Sequence, residues 1–242
     1  MAASRLRYLL LQVRNPDDPM RDQEVRCFAR VLNTPIESIQ THDLLSGPPA
    51  QPLLAKCDLV LLGGSGDYSV AAGGSWLAPV LEAMRELYEA GKPTFASCWG
   101  FQAMARALGG TVVTDLTRAE LGTIPLELTE EGRTDAVFGV LPPQFAAHAG
   151  HQDIVDALPP NAVRLAEGPR TLNQAFTFPD KPIYCTQFHP ELTRQTFLER
   201  LDQYPTYVER ILGCSLEAFA KTVQETPEAN QLLGRFVEVV FS

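Results

Sequence analysis

The sequence predicts an α/β protein: a doubly wound, mostly parallel sheet flanked by helices, followed by a helical C-terminal extension. Three observations carry this prediction. Strand-like and helix-like segments alternate through the first hundred residues. Cys57 to Leu62 (CDLVLL) is almost continuously apolar, as expected of a strand covered on both faces. Lys92 to Gly110 reads as a short apolar strand, a sharp turn with a cysteine at its apex, and a helix.

In chain order, Arg7 to Val13 (RYLLLQV) supplies the first strand. A helix from about Asp22 sets Val25, Phe28, Ala29 and Leu32 at the i, i+3, i+4 and i+7 spacing of one apolar face. Ile36 to Gln40 is expected as the second strand and Cys57 to Leu62 as the third. The loop Gly63-Gly64-Ser65-Gly66 follows, then a helix with Leu77, Val80, Leu81, Met84 and Tyr88 on one face, ending at Gly91. Thr94 to Ala96 forms a buried strand. Trp99 to Leu108 is rich in helix formers, with Gly109-Gly110 past its end. From Thr111 strands dominate, at Leu121–Leu128, Gln144–His148, Val163–Ala166, Gln174–Phe178 and Ile183–Phe188. From Thr193 the chain turns helical, with Phe219, Val223, Leu232, Leu233 and Phe236 to Phe241 offering apolar contacts. The expected organisation is one domain over 1–192, with a helical extension over 193–242 packed on it.

Composition removes several function classes. The 242 residues carry 20 Lys and Arg against 29 Asp and Glu, a net charge of −9 without a basic run, so no nucleic-acid partner is expected. No apolar run reaches membrane-spanning length, and that of MAASRLRYLLLQV is too short for a signal peptide. Cys27, Cys57, Cys98, Cys185 and Cys214 are widely scattered, which points to a reducing, cytoplasmic setting. No C-x-x-C, H-E-x-x-H or close histidine cluster appears, so neither a metal nor another cofactor is expected.

The chemistry centres on Cys98. It sits where a strand ends and a helix begins, so free N–H groups and the positive end of the helix dipole favour a thiolate. A cysteine nucleophile needs a base, a group to orient that base, and donors for an oxyanion. His189 is the candidate base, at the end of a strand and stopped by Pro190; Glu191, two residues on, can orient it. Strand C-termini in a parallel sheet share one edge, so Cys98 and His189 can meet across 91 residues. Backbone N–H groups of Trp99 and of the Gly63-Gly64 loop are the candidate oxyanion donors. That loop fits neither phosphate-cradling pattern, and Asp67 breaks the G-x-S-x-G pattern of serine hydrolases. His42 and His148 read as structural or surface residues and His151 as a wall or specificity contact. Cys27, Cys57 and Cys185 read as packing, and Glu120 and Asp153 as solvated surface.

Taken together, LVLLGGSGDYSV (Leu59–Val70), SCWGFQAMARALGG (Ser97–Gly110), QFHPEL (Gln187–Leu192) and the weaker HQDIVDALPPNAVRLAEG (His151–Gly168) resemble a class I glutamine amidotransferase domain. The likeness is to the stand-alone proteins similar to the amidotransferase half of GMP synthase, and it spans roughly residues 7 to 192. The resemblance implies a flavodoxin-like sheet, attack of Cys98 on the side-chain amide of glutamine, and a γ-glutamyl thioester. It implies His189 and Glu191 as the other triad members, Gly64 and Trp99 as oxyanion donors, and Gly63, Gly100, Gln102 and His151 around the substrate. Ammonia would pass to an unidentified acceptor, for which a synthetase partner is one candidate; the segment after Thr193 does not resemble a synthetase and is too short to be one. The same triad would also serve a γ-glutamyl hydrolase or peptidase; a weakly active ligand- or partner-binding domain is a further reading. Ala96 and Ser97 stand where the family usually has glycine and an aliphatic residue, and Phe101 where histidine is frequent.

Overall fold

The computed structural model describes residues 6–205, 211 and 215–242; Cys214 lies outside them. Among the described residues, nine strands form one sheet in the order β2-β1-β3-β4-β11-β10-β9-β6-β7. Its parallel half is β2 (Ile39–Asp43), β1 (Tyr8–Gln12), β3 (Leu59–Leu62), β4 (Thr94–Ser97) and β11 (Lys181–Thr186). The chain then returns antiparallel through β10 (Ala175–Phe178), β9 (Val163–Glu167), β6 (Glu120–Leu128) and β7 (Gln144–His151). A separate ribbon pairs β5 (Thr111–Thr114) with β8 (Asp153–Ala157).

Both faces of the parallel half are covered, and the period of two along each strand sorts the core. Tyr8, Leu10, Leu59 and Leu61 join one apolar cluster with Phe28 of α1 (Met20–Val31). Leu9, Leu11, Val60 and Leu62 join the other, with Val80 and Met84 of α3 (Leu77–Glu89) and Phe101 and Met104 of α4 (Trp99–Ala107). The last helix (Leu232–Phe241) contributes Phe236 to the first cluster, edge-to-face against Phe95 at 5.6 Å and Tyr184 at 5.5 Å between ring centroids. A third cluster joins Cys27 of α1 to Phe197 and Leu201 of α6 (Arg194–Asp202).

Some expectations shift. The second strand runs over Ile39–Asp43, because residues 36–38 form a 3₁₀ turn after Pro35 that leaves Ile36 exposed. The Gln144 strand continues to His151. The short helices α2 (Gln51–Lys56) and α5 (Glu130–Thr134) were not expected, being too short to show a period. Among the described residues, no helix is long and apolar enough to cross a membrane.

Candidate active site

Cys98 stands between β4 and α4 with φ 50° and ψ −101°, a conformation that costs an L-residue on the order of 1–3 kcal/mol. Its surroundings impose it. The Cys98 N–H donates to the Thr186 carbonyl at 2.8 Å, and its own carbonyl accepts from the Gln102 N–H at 3.1 Å. A Cβ on Gly100 would lie 2.5 Å from Leu62 Cβ and 3.2 Å from Ala96 Cβ, so only glycine lets α4 descend this closely onto β3. The Gly100 N–H donates to the Gly63 carbonyl at 3.1 Å, joining elbow and loop. Ala96 and Ser97 are fully buried beneath, and Phe101 packs against Phe176 at 5.1 Å, so the three departures from the family pattern all lie in the interior.

β11 lies parallel to β4 with Thr186 opposite Ser97, which delivers the following residues to the same sheet edge. His189 donates its backbone N–H to the His148 carbonyl at 2.8 Å, and its Nδ1 lies 2.7 Å from Glu191 Oε1. Cys98 also acts on the ring electrostatically, and its Sγ lies 3.8 Å from the Gly150 carbonyl oxygen. Burial alone would pull the imidazole pKa down, but the charges of Glu191 and Cys98 outweigh it and lift the value to about 9. Burial pushes the Glu191 carboxyl up, yet His189 first and Arg200 after it hold the group down at about 2. Glu191 is therefore ionised and acceptor-only at neutral pH, which puts a proton on Nδ1. His148, expected as a structural or surface residue, is fully buried and stacked on Phe197; burial and the nearby His189 charge lower its pKa to about 4.

Cys98, Trp99, Gly64, Gln102, His151 and His189 share one cleft. Gly63 and Gly100 lie beneath it, where they hold loop and helix together, and Glu191 is enclosed behind His189. Gln102 Nε2 donates to the Asp153 carbonyl at 2.8 Å and to Gln187 Oε1 at 3.3 Å. His151 presents Nδ1 to the Asp153 carbonyl and Nε2 to Glu120 Oε2, both at 3.1 Å. Glu120 and Asp153 are thus not solvated surface: they are 2% and 4% exposed. Glu120 accepts from Gln174 Nε2 at 2.6 Å, and the Asp153 carboxylate accepts from the hydroxyls of Ser69 and Thr114, each at 2.6 Å. Their partners come from distant segments, which a local charge count does not reveal.

The Gly64 N–H donates to Glu24 Oε1 at 3.2 Å in this conformation. Glu24 is fully buried and also faces Arg14, at 3.2 and 3.3 Å. Arg14, Arg200 and Tyr204 line the cleft as well. Sequence reasoning missed all four, since lone charged or aromatic residues on helices and loops carry no local signal of a site.

Residues 24–201 match the profile of the family described as glutamine amidotransferase class-I. The GMP synthase [glutamine-hydrolyzing] of Streptomyces avermitilis is 35% identical over 160 residues, 66% of this chain and 29% of that protein. Its Streptomyces coelicolor counterpart is 32% identical over 162 residues, 67% and 29% respectively. The match thus spans less than a third of the length of these relatives. A solved glutamine amidotransferase of Thermotoga maritima shares the fold with a TM-score of 0.76 and 23% identity, over 97% of each chain. A solved glutamine amidotransferase of Methylobacillus flagellatus shares it at 0.68 and 16%, over 98% of this chain and 95% of that one. With the profile matched over more than half its length, the chain belongs to the class I glutamine amidotransferases, a family of cysteine-type enzymes.

Proposed function

We propose that this chain hydrolyses the side-chain amide of L-glutamine through Cys98, His189 and Glu191, and passes the ammonia to a synthetase partner. The observation that supports the reading is His189, in one cleft with Cys98, backed by a buried, ionised Glu191. The Cys98 thiolate attacks the amide carbon and forms the C–S bond. The tetrahedral oxyanion takes the Trp99 N–H, which as the first of helix α4 has no partner within the helix. The Gly64 N–H is the second donor once it leaves Glu24. As the C–N bond breaks, His189 gives its proton to the departing nitrogen and ammonia leaves. Water, deprotonated by the now neutral imidazole, then cleaves the thioester to glutamate. Gln102 and His151, fixed on the Asp153 carbonyl, form the substrate wall.

The GMP synthases among the relatives are named as glutamine-hydrolysing, and this chain matches a minor part of their length. An ammonia-consuming synthetase is the acceptor that fits that relation. The extension over 193–242 is read as part of the same unit, since Phe236 sits in the sheet core. The test is release of glutamate and ammonia from L-glutamine by the parent and by Cys98→Ala. Cysteine-dependent release supports the reading. Release only from γ-glutamyl conjugates turns it into a γ-glutamyl hydrolase, and equal activity in both proteins removes the triad.

A further inference from the structure

Arg200 is 7% exposed, on α6, and lies against the triad without belonging to it. Its Nε donates to Gln23 Oε1 at 3.1 Å, and Gln23 in turn donates to the Thr196 carbonyl at 2.8 Å, which sets the direction of the guanidinium. Nη1 lies 3.5 Å from Glu191 Oε1. Nη1, Nη2 and Glu191 Oε2 are all buried without a hydrogen-bond partner, so spare donors and a spare acceptor belong to neighbouring side chains. A buried guanidinium is costly unless it meets a charge, and Glu191 is that charge.

Resting on the triad reading, we propose that Arg200 is the counter-ion of Glu191 and a positioning residue for proton transfer: it cancels the carboxylate so that His189 can release its proton to the leaving nitrogen. The charge count makes the case. Before attack the cluster holds the Cys98 thiolate and Glu191 against the His189 imidazolium and Arg200, a neutral set. After the C–S bond forms and the proton departs with ammonia, thioester and imidazole are neutral and Glu191 still balances Arg200. Without Arg200 the cluster carries an uncompensated negative charge throughout, and the imidazolium holds its proton more tightly. The other groups facing this cluster are His148 from β7, near His189, and Cys27 from α1 and Tyr204 after α6, both near Arg200. Arg30 donates to the Glu191 carbonyl, and Glu199 meets Gln23. None of these puts a second cation on the Glu191 carboxylate.

The experiment titrates His189 by NMR in full-length protein with labelled histidines, and records kcat and KM for glutamine against pH. Arg200→Met and Arg200→Gln remove the charge in two shapes, so one failure to fold leaves the other; Arg200→Lys restores a charge. The proposal expects the His189 pKa and the alkaline limb of kcat to rise by about half a unit to one unit. It also expects kcat to fall about tenfold with KM within about threefold, and lysine to recover most of the loss. An unchanged or lowered His189 pKa, or a loss confined to KM, overturns it. The NMR titration needs no turnover. A parent that leaves glutamine intact would refute the glutaminase reading while this measurement still decides the role of Arg200.

Discussion

Replacing Glu191 with glutamine removes the charge that sets the protonation of His189 while keeping the side-chain shape. The imidazole is held at about 9 against an ordinary 6.5, a difference of about 2.5 units or about 3 kcal/mol. His148 shows the direction burial takes: enclosed, with no partner on either ring nitrogen and with the His189 charge nearby, it sits at about 4. In Glu191→Gln, His189 should therefore fall below 6.5. At pH 7.5 its protonated fraction drops from about 97% to about 9% or less, and the acid that serves the leaving nitrogen is mostly gone. The alkaline limb of kcat/KM, near 9 in the parent, should move below 6.5. The rate at pH 7.5 should fall on the order of a hundredfold to ten-thousandfold. Stability follows the same signs. The raised His189 contributes fully below 6.5 and loses its contribution as pH climbs through 9. The lowered Glu191 contributes fully above its ordinary 4.5 and loses its share as pH falls toward 2. Both are complete between 4.5 and 6.5, so the thermal-melt gap between parent and variant should be widest there and narrow toward pH 9.5. A variant that keeps the parent alkaline limb would refute the assignment of Glu191.

Two further substitutions probe the frame. In Gly64→Ala the new Cβ would lie 2.9 Å from His189 Cε1, so kcat should fall at least about tenfold while the melting temperature stays near that of the parent. Steady-state kinetics and calorimetry check both halves, and an unaltered kcat would mean that the loop does not crowd the base. Phe236→Ala empties a ring that touches Phe95 and Tyr184 and should cost about 3–5 kcal/mol, read by urea unfolding. A cost below about 1 kcal/mol would show that the helix over Leu232–Phe241 is dispensable to the core.

Most of the parallel half of the sheet was legible because β1, β3 and β4 are short, apolar runs between turns, and the same pattern placed Cys98 at an elbow; the polar edge strand β2 was placed three residues early. His189 and Glu191 were legible because a single proline separates them and regular structure stops just ahead of them, β11 ending at Thr186. What the sequence hid was long-range polar chemistry. Glu120 and Asp153 look like surface acids until Gln174, His151, Ser69 and Thr114 are seen to bury them. Glu24 and Arg200 lie on helices whose apolar spacing says nothing about which polar residue turns inward. The short helices over Gln51–Lys56 and Glu130–Thr134 carry too few residues to show a period at all.

The role of Cys98 is read from the mass of the protein after exposure to a reactive glutamine analogue, with the modified residue located by peptide mapping. One adduct is expected, on Cys98, suppressed by excess L-glutamine and absent from Cys98→Ala. An adduct on Cys27, Cys57 or Cys185 instead, or none on a folded protein, would contradict it.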